Sequence, residues 1–166
     1  QYGTQFGGLL NFKLKESTTQ KPISLLLRNS IGSNSLYTNF TQVSGKLGKW
    51  RYTSFFNLKN GNGFRPNSKF NSSNVFFKLS HDISKDTQVS AEITYLDYLA
   101  QQAGGLSDNL FQENPYQSNR ERNWFGLYWF LYNFKLEHEL SKKSNLSLNV
   151  FGLNAQRNAI GFRSNR

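Results

Sequence analysis

Apolar and polar residues alternate one by one along most of this chain. From Trp124, one register reads Trp124, Gly126, Tyr128, Phe130, Tyr132, Phe134, Leu136, His138 and Leu140. The other reads Phe125, Leu127, Trp129, Leu131, Asn133, Lys135, Glu137 and Glu139. A period of two puts successive side chains on opposite faces of a strand. The first face is apolar throughout, and the second turns charged toward its end. Trp50, Tyr52, Ser54, Phe56 and Leu58 alternate with Arg51, Thr53, Phe55, Asn57 and Lys59 in the same way. So do Val75, Phe77, Leu79, His81 and Ile83 with Phe76, Lys78, Ser80 and Asp82, and Val89, Ala91, Ile93 and Tyr95 with Gln88, Ser90, Glu92 and Thr94. Leu146, Leu148 and Val150 form a further segment, and a fainter pair covers 23–31 and about 36–45. The pattern predicts seven strands after residue 22. The one starting at Trp124 far exceeds the ~5–6 residues usual in a soluble sheet.

The connections sort these strands. Short polar turns are expected at 45–49, 84–87 and 141–145, and longer irregular segments at 60–72 and 101–123. Short and long connections therefore alternate after the second strand. Outer-membrane barrels carry short turns at one rim and long loops at the other, whereas a soluble sandwich has no reason to alternate them. The first connection, around 32–35, is short for an outer loop and fits less well. The expected fold is all-β: an antiparallel transmembrane β-barrel fragment, with a soluble carbohydrate-binding β-sandwich as the competing arrangement. Seven strands do not close a membrane barrel, because bacterial single-chain barrels have even strand numbers from eight upward. An open edge in lipid strands backbone polar groups, so other polypeptide is expected to complete the sheet.

Composition sharpens this picture. Aromatics make up 16% of the 166 residues, with 15 Phe, 8 Tyr and 3 Trp, yet the mean hydropathy is −0.62. Interleaving apolar with polar residues reconciles the two values. No segment approaches the ~20 apolar residues of a membrane helix. The chain opens without a basic-then-apolar leader, as a mature or truncated chain does. Cysteine is absent, which excludes disulfide scaffolds and thiolate zinc sites. The net charge of +10 raises nucleic-acid binding, but the cations are spread singly, as at Lys13, Lys46, Lys78 and Lys135, without a basic run. No nucleic-acid partner is expected.

The opening, with Tyr2-Gly3, then Gly7-Gly8 and an alternating strand 9–15 ending in Lys15, resembles the end of the plug domain of TonB-dependent outer-membrane transporters. Three later segments strengthen the likeness. Lys59-Asn-Gly-Asn-Gly-Phe-Arg-Pro-Asn-Ser68 resembles the second loop of ferric-citrate-type receptors of the Bacteroidetes. Tyr98-Leu-Ala-Gln-Gln-Ala-Gly-Gly-Leu-Ser-Asp108 and Gln117-Ser-Asn-Arg-Glu-Arg-Asn-Trp124 resemble the third. Phe151-Gly-Leu-Asn-Ala-Gln-Arg-Asn-Ala-Ile-Gly-Phe162 resembles the strand leading into the fourth. The resemblance implies residues 1–21 as the plug's end and linker, and 22–166 as the first strands of a 22-stranded barrel in the bacterial outer membrane. It further implies uptake of a ferric chelate such as ferric citrate, driven through TonB by a segment outside this sequence. Membrane lipid, lipopolysaccharide and the rest of the barrel and plug are the implied partners. Iron would be cargo, and no resident cofactor is expected. A receptor-like barrel acting as scaffold of an outer-membrane complex is the alternative.

Catalytic chemistry finds little support. His81 and His138 lie far apart on outward registers, without a second ligand or carboxylate at a defined spacing. No phosphate loop or nucleophile elbow occurs, and the Gly61-Asn-Gly segment joins strands rather than opening a helix. The chain is expected not to be an enzyme, and to hold no metal site. Candidate ligand-binding residues in the outer loops are Arg65, Asn67, Gln101, Gln102, Arg120, Arg122 and Arg163. Arginine forks match carboxylates bidentately, and amides add neutral hydrogen bonds. Lipopolysaccharide contact or loop solvation are the other readings of these arginines. Trp50, Tyr52, Trp124, Tyr128 and Tyr132 suit either an aromatic ligand platform or, preferably, an interfacial girdle, where ring and polar tip each find a matching phase.

Overall fold

The computed structural model describes residues 19–161. Seven strands follow one another: β1 (Ser24–Gly32), β2 (Leu36–Leu47), β3 (Trp50–Gly61), β4 (Phe70–Asp82), β5 (Thr87–Gln101), β6 (Trp124–Ser141) and β7 (Ser144–Ile160). Among the described residues a single short helix, α1 (Asp108–Glu113), interrupts the β5–β6 connection. All seven strands form one antiparallel sheet in sequence order, so every hairpin pairs with the next. Among the described residues no second sheet packs on it, which removes the sandwich arrangement. The fold is an all-β antiparallel wall. The proposed plug strand at 9–15, with Gly7 and Gly8, lies outside the described residues.

The register shows why the wall has two chemically different faces. Leu25, Val43, Ser54, Phe77, Ile93, Tyr132 and Gly152 stand in one row across the sheet. The neighbouring rows on that face add Tyr52, Leu79 and Phe134 on one side, and Leu27, Phe56, Val75, Tyr95 and Phe130 on the other. These residues are held in β geometry yet left uncovered; Phe77, Ile93, Tyr132 and Phe134 are among the exposed large apolar side chains. The opposite face carries the buried Ser44, Phe76 and Ser80. At its centre Phe55 stacks between Phe40 and Phe76, with ring centroids 5.4 Å and 5.1 Å apart. Such pairs contribute about 0.5–1.5 kcal/mol each beyond their buried area.

Two devices finish the wall. On the apolar face Tyr52 lies over Gly45 and Tyr132 over Gly152, each ring filling the space a Cβ would occupy. The Tyr52 hydroxyl then donates to the Pro22 carbonyl at 2.9 Å, and the Lys46 amide to the Lys21 carbonyl at 3.0 Å, which ties the entering chain to β2. The turns at residues 48–49, 83–86 and 142–143 share one rim, and Gly48 takes φ +58° in the first of them. The connections 62–69 and 102–123 share the other rim with the tight turn 33–35, where Asn34 and Ser35 adopt left-handed φ of 56°. Asparagine tolerates that conformation, so three residues suffice to reverse the chain. The short first connection is thus a genuine hairpin turn on the loop rim.

Candidate functional site

Side-chain charge is sorted by strand parity. Among the described residues every lysine and arginine inside the strands, namely Arg28, Lys46, Arg51, Lys59, Lys78, Lys135 and Arg157, lies on the face of Phe76. Asp82, Glu92, Glu137 and Glu139 share it, whereas among the described residues Asp97 is the only Asp or Glu that the strands place on the apolar face. The alternation that makes one face apolar therefore confines ionised groups to the other, where water can solvate them.

Along that polar face the charges divide again. Toward the turn rim three ion pairs form: Arg51 Nη2 meets Asp82 Oδ1 at 2.9 Å, Lys78 meets Glu92 at 3.9 Å, and Lys135 meets Glu137 at 2.5 Å, while Lys46 donates to Gln20 Oε1 at 2.9 Å. Gln88 also donates to Asp82 at 2.8 Å, and Asn133 to Glu92 at 3.1 Å. An open polar hollow of about 770 Å³ lies beside this cluster, lined by Arg51, Asp82, Gln88 and Glu137 among others. Toward the loop rim the rows through Arg28, Lys59 and Arg157 contain no carboxylate. Arg157 lies over the Phe125 ring at 5.4 Å, and Tyr98 meets the same ring edge-on at 6.2 Å. These three cations sit on β1, β3 and β7, spread over most of the sheet's width. They do not converge on one point; their joint effect is a positive field over the loop half of this face. None was singled out from the sequence, although their register opposite the apolar one was a signal that could have found them.

The loop residues that the sequence points to do come together at that rim, but several are engaged with each other. Arg65 Nη2 donates to the Gly104 carbonyl at 2.8 Å, and its guanidinium lies 5.6 Å from the centroid of the Phe64 ring. Asn67, at φ 55°, donates to the Arg120 carbonyl. The Gln101 amide oxygen accepts from the Lys69 backbone at 3.2 Å, and the Gln102 backbone donates to Asn123 at 2.9 Å. Ser118 bonds the Ala103 and Arg120 carbonyls. Arg65 and Asn67 thus act as clasps between the two long connections. Arg122 is exposed at the end of its loop, and Arg163 lies outside the described residues. The clasp borders an open, aromatic-lined hollow of about 510 Å³ formed by Phe64, Arg65, Leu106, Phe111 and Tyr116. Phe64 meets Tyr116 edge-on at 6.4 Å.

Replacing Arg65 with Ala removes that clasp. Amide hydrogen exchange over 62–69 and 102–107 is expected to accelerate about tenfold, in line with ~1.5 kcal/mol for a charge-assisted bond. Exchange within β3 and β4 should stay unchanged. Unaltered protection in both loops would show that Arg65 does not hold them.

The aromatic candidates all lie on the apolar face but at different heights. Trp50 stacks on His81 at 4.0 Å at the turn rim, with Tyr52 one row in. Trp124 stands at the loop rim beside Gln101, and Tyr128 two rows below it, edge-on to Tyr95 at 5.4 Å. Tyr132 stands among Phe77 and Ile93, inside the apolar band rather than at its border. His138 is paired with Thr87 at 2.8 Å, two strands over from His81 at the same rim. Among the described residues no three His, Cys, Asp or Glu side chains gather as a metal site, and no helix is long and apolar enough to cross a membrane.

No protein-family model and no curated protein matches the sequence. Among solved structures, the crystal structure of the ferric citrate transporter FecA in its unliganded form superposes with a TM-score of 0.71 and 14% identity. The match covers 86% of this chain and 23% of that one, so the present chain spans less than a quarter of that protein's length. At this identity the likeness is one of fold, and the seven-stranded sheet matches part of a β-barrel wall.

Proposed function

We propose that this chain is a wall segment of a TonB-dependent outer-membrane transporter that takes up an anionic ferric chelate, with ferric citrate as the leading candidate. The supporting observation is the parity of the wall: one face apolar and uncovered, the other carrying every strand cation. In a barrel the first meets lipid and the second lines the lumen. The long strands exceed the ~9–11 residues needed for a tilted membrane span, so their loop ends reach beyond the bilayer. The superposition on FecA supports the same orientation. A plug and a TonB contact, supplied by other parts of the protein, belong to this reading. Iron passes as cargo in its chelate, and the chain contributes binding and field rather than catalysis.

The lumen cations give the test. Arg28, Lys59 and Arg157 form a long-range attractor for a polycarboxylate, and loop arginines such as Arg120 and Arg122 offer the forks that seat it. In the full-length protein, changing Arg28, Lys59 and Arg157 together to Ala is expected to slow association of ferric citrate about tenfold at low salt, with little change in dissociation. Stopped-flow quenching of tryptophan fluorescence would read both rates. An association rate that is unchanged, and equally insensitive to salt in the parent protein, removes the field from the mechanism.

A further inference from the structure

Three aromatic side chains are left uncovered where the two long connections meet. Phe64, Phe111 and Tyr116 keep 65%, 59% and 64% of their surface. None of them belongs to a strand, so the alternation behind the apolar face of the wall does not account for them. They line the hollow of about 510 Å³, a size usual for small-molecule pockets, ~300–1,000 Å³. The Phe64 and Tyr116 rings stand at 81° to each other and form a corner. The segment that carries Phe111 and Tyr116 is tied down. The Asn114 amide and the Gln117 side chain both donate to the Leu110 carbonyl, at 3.0 Å and 2.6 Å, and the Tyr116 amide donates to Asn114 Oδ1 at 2.9 Å.

The margin of the hollow is cationic. Arg65 lines it and bonds the Gly104 carbonyl, while its Nε is buried without a hydrogen-bond partner. Arg120 packs against the same glycine: a Cβ built at Gly104, which takes φ +76°, falls 2.7 Å from Arg120 Cγ and 3.0 Å from its Nε. No carboxylate lines the hollow, and among the described residues neither arginine is ion-paired.

We infer that this hollow is a binding site for an aryl carboxylate, with its ring among Phe64, Phe111 and Tyr116 and its carboxylate on Arg65 and Arg120. The site goes beyond ferric citrate uptake and needs only the clasped connections. The chemistry selects the class. A ring placed in the corner stacks on one wall and meets the other edge-on, the two arrangements that aromatic pairs favour. Citrate has no apolar surface and gains nothing from three rings. Rings alone would also suit an organic cation, but two guanidinium groups at the margin repel one. A carboxylate is the acceptor that Arg65 lacks, since its guanidinium makes one hydrogen bond among the described residues. Holding the Tyr116 segment in place beforehand lowers the ordering cost of binding.

The full-length protein in detergent can be titrated with 2-naphthoate and with its neutral isostere 2-naphthamide, read by saturation-transfer NMR against empty micelles. Naphthoate is expected to bind saturably, about tenfold more tightly than the amide, and more weakly as salt rises. The combined change Phe64→Ala and Tyr116→Ala should weaken it about tenfold, and so should Arg120→Gln. Equal binding of the two probes would overturn the assignment, as would indifference of naphthoate binding to the aromatic pair. Displacement of naphthoate by an equal concentration of citrate would overturn it too, because the arginines would then serve a polycarboxylate without the rings. Hydrogen exchange across β3 and β4 is expected to match the parent in each variant. Should it not, the parent's preference for naphthoate over naphthamide, which needs no variant, still decides. The uptake reading is judged separately, by the ferric-citrate association rate of the variant lacking Arg28, Lys59 and Arg157.

Discussion

Arginine at position 93 is expected to destabilise the protein in lipid by about 2–4 kcal/mol, the depth-dependent effect of a guanidinium near the bilayer midplane. Ile93 lies in the row of Leu25, Val43, Phe77 and Tyr132, with apolar rows on both sides. It keeps 39% of its surface free, so the new side chain meets solvent or lipid rather than a packed core. In water an exposed arginine on a strand is nearly neutral to stability, and only a hydrocarbon surround makes it expensive. The comparison substitution is Ser147→Arg, on the opposite face and directly across from Glu137. That change is expected to stay within ~0.5 kcal/mol. Guanidine unfolding of the full-length protein in phosphatidylcholine vesicles, followed by tryptophan fluorescence, measures both. Equal midpoints for Ile93→Arg and the parent would rule out a lipid-facing band at this row.

Valine at position 45 is the second large effect. The space above Gly45 is occupied twice: a Cβ built there falls 2.0 Å from the Pro22 carbonyl oxygen and 2.6 Å from the Tyr52 hydroxyl. The first of these is backbone and cannot swing aside. The entering segment must therefore detach from β2, losing the Tyr52–Pro22 and Lys46–Lys21 hydrogen bonds together. Overpacking of this kind costs about 1–3 kcal/mol. Gly152→Val provides the graded control, because its Cβ meets the far end of the Tyr132 side chain at 2.2 Å, which can rotate away. At Gly126 the nearest atom is 3.6 Å away, an ordinary contact. Denaturant midpoints should therefore fall in the order Gly126→Val, Gly152→Val, Gly45→Val, from least to most affected. Hydrogen exchange at the Lys46 amide should accelerate only in the last. A Gly152→Val variant less stable than Gly45→Val would show that the strap over Gly45 is not what the substitution disturbs.

Strand existence was legible wherever the two faces differ. Trp124 to Leu140 alternates with such contrast that β6 could be placed almost to the residue, and the short rim turns at Gly48, Lys85 and Lys142 fell inside the expected segments. The contrast fades beyond the apolar band, and there the reading fell short. Residues 70–74 are Phe-Asn-Ser-Ser-Asn and look like a loop, yet they open β4 because β3 and β5 offer hydrogen-bonding edges on both sides. β5 continues past Tyr95 to Gln101 for the same reason, and so does β7 past Phe151 to Ile160, where the alternation had faded and only the family resemblance pointed to a strand. Pairing with a neighbour, not side-chain polarity, decides strand length once both faces are polar. The short helix α1 carried no amphipathic repeat long enough to announce it.

The site divides along the same line. Which residues can ionise, and on which face of a strand they stand, follows from the sequence, because a period of two leaves only two choices. Arg65 and Arg120 could be assigned to loops, but not their partners. Whether a guanidinium faces a ligand or the Gly104 carbonyl depends on how two connections, separated by the whole of β4 and β5, fold against each other. The same holds for the positive loop half of the inner face. Arg28, Lys59 and Arg157 are 31 and 98 residues apart along the chain, and only the register of six successive hairpins brings them to one end of one surface. Local alternation determined the two faces of the wall; long-range pairing decided what stands beside what on each of them, since strand register is a property of pairs and not of any one segment.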